Sequence, residues 1–115
     1  LAEKSRVIVF NSDGMGHSEA QDLPKVLAHK FLALIGANGL LPDAICFYAD
    51  GVKLACTGSP VVAELRALEA RGVELVLCQT CLETLGLSER VGVGVVGGMT
   101  DIITAIWEAD SVVTL

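Results

Sequence analysis

The chain has 115 residues, a formal net charge of −6, 52% hydrophobic and 19% charged residues, and a mean hydropathy of +0.59. That length suits a single domain over residues 1–115, and that composition excludes a disordered chain. Its eight Lys and Arg never cluster, so nucleic acid is not an expected partner, and nothing approaches the roughly 18 apolar residues of a membrane span. Only 4% of the residues are aromatic, so the core has to be built from Val, Leu, Ile and Ala. Such a core favours a parallel sheet buried on both faces, with part of the surface covered by oligomerisation. The chain opens at Leu1 without a signal-peptide pattern. That gives a cytoplasmic expectation and leaves room for a preceding segment.

Arg6-Val7-Ile8-Val9-Phe10-Asn11 is continuous and apolar, as a central parallel strand is, and it empties into the small polar residues of the 12–18 loop. Leu23, Val26, Leu27, Phe31, Leu34 and Ile35 recur at helical spacing and predict a helix over residues 22–35. Pro24 suits its first turn and Gly36 its exit. Residues 43–48 read as a second strand, and Ala49-Asp50-Gly51 as a turn. Gly58-Ser59-Pro60 announces another helix, with Ser59 as N-cap and Pro60 in the first helical position, running to Arg71 and closed by Gly72. Residues 73–77 form a third strand, residues 91–96 a short glycine-interrupted one, and residues 111–115 the last. Gly97-Gly98-Met99-Thr100 leads into a helix with Ile102, Ile103, Ile106 and Trp107 on one face. The order β-α-β-α-β-α-β-α-β predicts a three-layer α/β/α sandwich around a five-stranded parallel sheet. Ligands of such sheets bind outside the carboxyl ends of the strands, where residues 11–17, 48–53, 78–81 and 97–100 would meet.

Cys78-Gln79-Thr80-Cys81 concentrates the chemistry. Two thiols stand where a strand passes into a helical turn that Gly86 closes. Thr80-Cys81-Leu82-Glu83 fits a capping box, which would make Cys81 the first helical residue. Cys78 would then face a helix N-terminus, whose partial positive charge favours thiolate. Cys46 and Cys56 read as structural thiols. A zinc site would need two ligands beyond the pair, and only His17 and His29 are on offer, so no metal is expected. Asn11-Ser12-Asp13-Gly14-Met15-Gly16 lacks both the Walker lysine and the dinucleotide glycine spacing. Asp13 is expected to order that loop through backbone N–H groups. A thioredoxin-like site usually takes a cis-proline from a later segment, but Pro24, Pro42 and Pro60 all precede Cys78.

The same residues carry a family likeness. Asn11-Ser12-Asp13-Gly14-Met15-Gly16, Leu41-Pro42 with Phe47-Tyr48, Gly51-Val52-Lys53-Leu54 with Gly58-Ser59, and Cys78-Gln79-Thr80-Cys81-Leu82-Glu83 with Gly86-Leu87 resemble the DsrE/DsrF-like domain. The resemblance is nearest to the C-terminal domain of YedF-like proteins of predicted selenium metabolism. It implies the DsrE-like five-stranded sandwich, a homo- or hetero-oligomer, and sulfane sulfur carried on the thiol after the third strand, here Cys78. Cys81 would resolve a persulfide there. Asn11, Asp13, His17, Lys53 and Met99 are the candidates for a substrate pocket, with Lys53 as a cation for the thiolate and Met99 as a core or soft pocket residue. No cofactor is implied. Partners would be sulfur donor and acceptor proteins, a TusA-like carrier among them. The alternatives are a non-catalytic, oligomer-forming subunit and a thiol-disulfide oxidoreductase.

Overall fold

The computed structural model describes residues 4–115, so the first three residues of the 1–115 unit lie outside it. Strands β1 (Arg6–Phe10), β2 (Ala44–Phe47), β3 (Glu74–Cys78), β4 (Val95–Gly97) and β5 (Ser111–Thr114) form one sheet in the order β4-β3-β2-β1-β5, every pair parallel. Helices α1 (Leu23–Ala37), α2 (Val62–Ala70), α3 (Gln79–Thr84) and α4 (Met99–Glu108) link them, with a 3₁₀ helix over Ala49–Ala55. The steps β1 to β2 to β3 to β4 all run one way across the sheet, and the step β4 to β5 runs back. Right-handed crossovers therefore set α1, α2 and α3 on one face and α4 on the other. This is the three-layer α/β/α sandwich that the alternating pattern predicts.

The central strands are apolar throughout because both their faces are covered: Val7 to Phe10, Ala44 to Phe47 and Leu75 to Cys78 are all buried. Phe10 and Phe47 stack with ring centroids 5.8 Å apart. Asp43 aligns the strand starts. Its carboxylate accepts from Arg6 N–H at 2.8 Å and its own N–H donates to Arg6 O at 2.8 Å. Ser5 and Asp110 clamp β5 to β1 reciprocally, Ser5 N–H to Asp110 Oδ2 at 2.8 Å and Asp110 N–H to Ser5 Oγ at 3.0 Å.

Several local expectations are revised. Gly36 lies inside α1, where a Cβ would touch Leu68 and Arg71, so it serves the approach of α2; the left-handed exit residue is Gly39 (φ +67°). The face of α1 on the sheet is Ala28, Leu32 and Ile35, which leaves Leu23, Val26, Leu27 and Leu34 exposed. Helix α2 starts two residues later than the Ser59-Pro60 signal indicates. Ser59 Oγ accepts from Val61 N–H at 3.2 Å and so orders the turn before the helix. Val91 is not in β4. It bridges antiparallel to Cys56, and Gly92 N–H donates to Ala55 O at 2.9 Å, so this segment is drawn to the 3₁₀ turn instead. On α4, Ile102 is buried and Ile106 half-buried, but Ile103 and Trp107 face outward, Trp107 at 85% exposure.

Candidate functional site

The crossover pattern selects one crevice at the carboxyl edge. β3 feeds a helix on one face and β4 a helix on the other, so the chain parts between their ends, where Cys78 stands in register with Gly97. Such a switch point is where open α/β sheets hold ligands. Gly97 is needed there, because a Cβ would come within 2.8 Å of Val76 and 3.0 Å of the Asp101 carboxylate. That carboxylate accepts from Gly98 N–H at 2.9 Å and caps α4.

The thiol turn differs from its expected form. β3 runs directly into α3, so Cys78 is both the last strand residue and the N-cap; Gln79 is the first helical residue, and no side chain caps the helix. The Thr80–Glu83 capping box is therefore absent, since Thr80 and Cys81 already sit within the first turn. Cys78 is 1% exposed, whereas Cys81 is half-buried. Cys81 reaches back across the 3₁₀ segment, where its Sγ accepts from Ala49 N–H at 3.1 Å. Burial raises the Cys81 thiol above its ordinary pKa, and a side-chain hydrogen bond with Cys78 raises it further, while the Ala49 N–H pulls it partly back.

Ala49 is the part that sequence reasoning missed. It has φ +50°, the only non-glycine residue with positive φ among those described, a conformation costing about 1–2 kcal/mol in an L-residue. That geometry turns its N–H toward the sulfur, and nothing in Tyr48-Ala49-Asp50-Gly51 announces it. Next along the turn, Gly51 is fully packed against β1: a Cβ there would overlap the Phe10 carbonyl, whose oxygen accepts from Tyr48 N–H at 3.1 Å. The 3₁₀ segment is therefore held on the end of β1 while it supports Cys81.

Two hollows flank this segment. One, of about 280 Å³, is lined by Ala49, Asp50, Thr80, Cys81, Thr84 and Leu85. The other, of about 270 Å³, holds Asp13, Lys25 and Lys53 with Cys56 in its wall. The candidate residues therefore fall into separate groups. Cys81 lines the first hollow; Asp13 and Lys53 line the second; Cys78 is buried and lines neither, and Asn11, His17 and Met99 are exposed and line neither. Lys53 pairs with Asp50 at 3.1 Å rather than with a thiol. Asp13 lies 4.0 Å from Lys25, and the first loop is ordered by Ser12 Oγ donating to Gly14 O at 3.1 Å instead of by Asp13. Met99, expected in the core or a soft pocket, is the first residue of α4 and half exposed. His29 lies on α1, 3.4 Å from Glu64. All four cysteines are free thiols, and no group of three or more His, Cys, Asp or Glu able to hold a metal ion occurs among the described residues.

Fold and site together define a parallel α/β sandwich with a thiol pair at its switch point. The chain belongs to the DsrE/DsrF-like family, whose model matches residues 5–115. That membership suggests a function of the sulfur-relay kind. Among solved structures it is similar to the ychN protein from E. coli, with a TM-score of 0.73 at 23% identity, covering 98% of this chain and 100% of that one. A conserved protein of unknown function from Bacteroides thetaiotaomicron gives a TM-score of 0.65 at 15% identity, covering 96% and 95% of the two chains. One from Methanobacterium thermoautotrophicum gives 0.64 at 17%, covering 96% and 99%. These likenesses carry the fold. No curated protein matches the chain. No described helix is long and apolar enough to cross a membrane.

Proposed function

We propose that this protein is a sulfur carrier in which Cys78 bears the sulfane sulfur, or selenium in its place, and Cys81 serves it. The observation that carries this reading is the placement of buried Cys78 at the switch point, three residues before a second thiol that lines the neighbouring hollow. In the loading step the Cys78 thiolate attacks the outer sulfur of a donor persulfide R–S–SH. The new bond is Cys78 S–S, the bond broken is the donor's S–S, and R–S⁻ leaves. An acceptor thiolate then takes the outer sulfur and releases the Cys78 thiolate. In a side path the Cys81 thiolate attacks Cys78 Sγ, forming the Cys78–Cys81 disulfide and expelling HS⁻. Because burial raises the Cys81 thiol above its ordinary pKa, that path is slow, which suits a carrier better than a multiple-turnover enzyme or a thiol-disulfide oxidoreductase.

The donors and acceptors would be thiol proteins, a TusA-like carrier among them. Exposed Ile103 and Trp107 on α4 and exposed Val112 and Val113 on β5 favour further burial in a homo-oligomer. The near-complete burial of Cys78 favours a second reading, a non-catalytic oligomer-forming subunit. Intact mass after exposure to a persulfide donor separates the two. A reductant-reversible gain of one sulfur, lost in Cys78→Ala and kept in Cys81→Ala, is the expected result. No adduct on either thiol with several donors refutes the carrier.

A further inference from the structure

The hollow on the far side of the 3₁₀ segment from Cys81 gathers basic side chains in an acidic protein. The protein carries −6 overall, with eight basic residues in the whole chain. Two of those eight, Lys25 from α1 and Lys53 from the 3₁₀ segment, line this hollow of about 270 Å³. A third, Arg90, stands at its edge, where its Nε donates to Thr57 Oγ1 at 3.3 Å. Two cations from separate segments thus line one concave site at the carboxyl edge of the sheet, and a third is bonded to a residue of its wall. Thr57 accepts from Arg90, which leaves its own O–H proton free to donate.

The acidic residues nearby do not cancel this arrangement. Asp13, in the wall, is 4.0 Å from Lys25, at the limit of an ion pair, and both side chains are half exposed. Asp50 holds Lys53 at 3.1 Å but lines the other hollow, so that pair spans the ridge between the two. Cys56 in the wall adds no negative charge at neutral pH. Burial raises its thiol, outweighing the opposite pull of Arg90, and its Sγ donates to Val52 O at 3.2 Å. Gly58 lines the hollow as well, and a Cβ added there would meet nothing within 4 Å, so the space above this turn is open.

We infer that this hollow is a binding site for a small dianionic oxyanion, held between the Lys25 and Lys53 ammonium groups with the Thr57 hydroxyl as a neutral donor. Compact charges on flexible stems suit an ion that presents oxygens in several directions, and charge-assisted hydrogen bonds supply the affinity. Asp13, in the wall beside Lys25, opposes the ligand and keeps binding weak. The site stands apart from the relay chemistry. A sulfur oxyanion such as thiosulfate and an ordinary phosphate share the required chemistry.

The test is a two-dimensional NMR titration of the ¹⁵N-labelled full chain with thiosulfate and, separately, inorganic phosphate, at ionic strength held constant with chloride. Saturable shifts of the Thr57, Gly58 and Ser59 amides are expected. Tighter binding of thiosulfate names a sulfur oxyanion as the ligand, and equal binding names oxyanions in general. The exposed double variant Lys25→Gln/Lys53→Gln should weaken binding at least about tenfold, and Asp13→Asn should tighten it several-fold. The inference is overturned if neither ion gives saturable shifts at these amides, if the double variant binds as well as the parent, or if Asp13→Asn weakens binding. Cys78→Ala should leave the titration unchanged, so failure of the relay reading and failure of this site are told apart.

Discussion

Replacing Cys81 by alanine asks whether that side chain gates Cys78. Cys78 is 1% exposed, and Cys81, three residues on, is half-buried. The substitution removes one partly buried sulfur and leaves the Ala49 N–H, now bonded to Sγ at 3.1 Å, without its partner. Together these losses amount to about 1–2 kcal/mol, most of it from the lost hydrogen bond. A loss of that size raises the globally unfolded population about tenfold. A thiol that reacts only through unfolding, as Cys46 does at 0% exposure, should therefore alkylate about tenfold faster. Cys78 should do more than this, because with the lid gone it no longer waits for an opening. Its rate should exceed the Cys46 increase by at least a further factor of about ten. Iodoacetamide labelling of the native protein at pH 8, followed by peptide mass analysis that separates the three remaining thiols, measures both. If Cys78 and Cys46 accelerate by the same factor, Cys81 contributes only to stability and the gate is refuted.

Other consequences follow from single contacts. Gly51→Ala sets a Cβ against the Phe10 carbonyl, and because backbone has to yield, denaturant unfolding should show a loss of about 3 kcal/mol or more; a change below 1 kcal/mol contradicts the packing. Burial, reinforced by Glu74, pushes the Cys46 thiol up to about 11. Folding then favours the protonated form, so its contribution to stability is complete below the ordinary thiol range and is lost as pH rises through the folded value. Unfolding free energy should fall by on the order of 2 kcal/mol between pH 9 and 11, and Cys46→Ala, less stable at neutral pH, should show a flatter decline. Replacing Ile103 and Trp107 together by serine should shift sedimentation toward the monomer, with thermal stability falling only as far as the lost association accounts for, since both side chains face outward. An unchanged sedimentation profile refutes an association through this face.

Hydrophobic periodicity and chain order were sufficient to determine the architecture. Continuous apolar strands alternating with helices have few ways to bury both faces of a sheet, and right-handed crossovers reduce them further. The thiol pair was legible for a similar reason, since two cysteines at a strand-to-helix handover are a local feature of the chain. What the sequence could not decide were the long-range choices. Local propensity made Thr80 a cap, but the uninterrupted passage of β3 into α3 assigned that place to Cys78. The helical stripe of α1 included Leu23, Val26, Leu27 and Leu34, but the sheet selected the smaller Ala28 with Leu32 and Ile35, because close packing rewards fit over hydrophobicity alone. Ala49 bonds a sulfur 32 positions away. Lys25 and Lys53 line one hollow from two segments, with Arg90 bonded to Thr57 in its wall. No local pattern encodes such meetings, since they depend on which loops the sheet order brings to one edge. Only the tertiary structure could show which thiol is buried, which one lines a hollow, and which loops share one edge of the sheet.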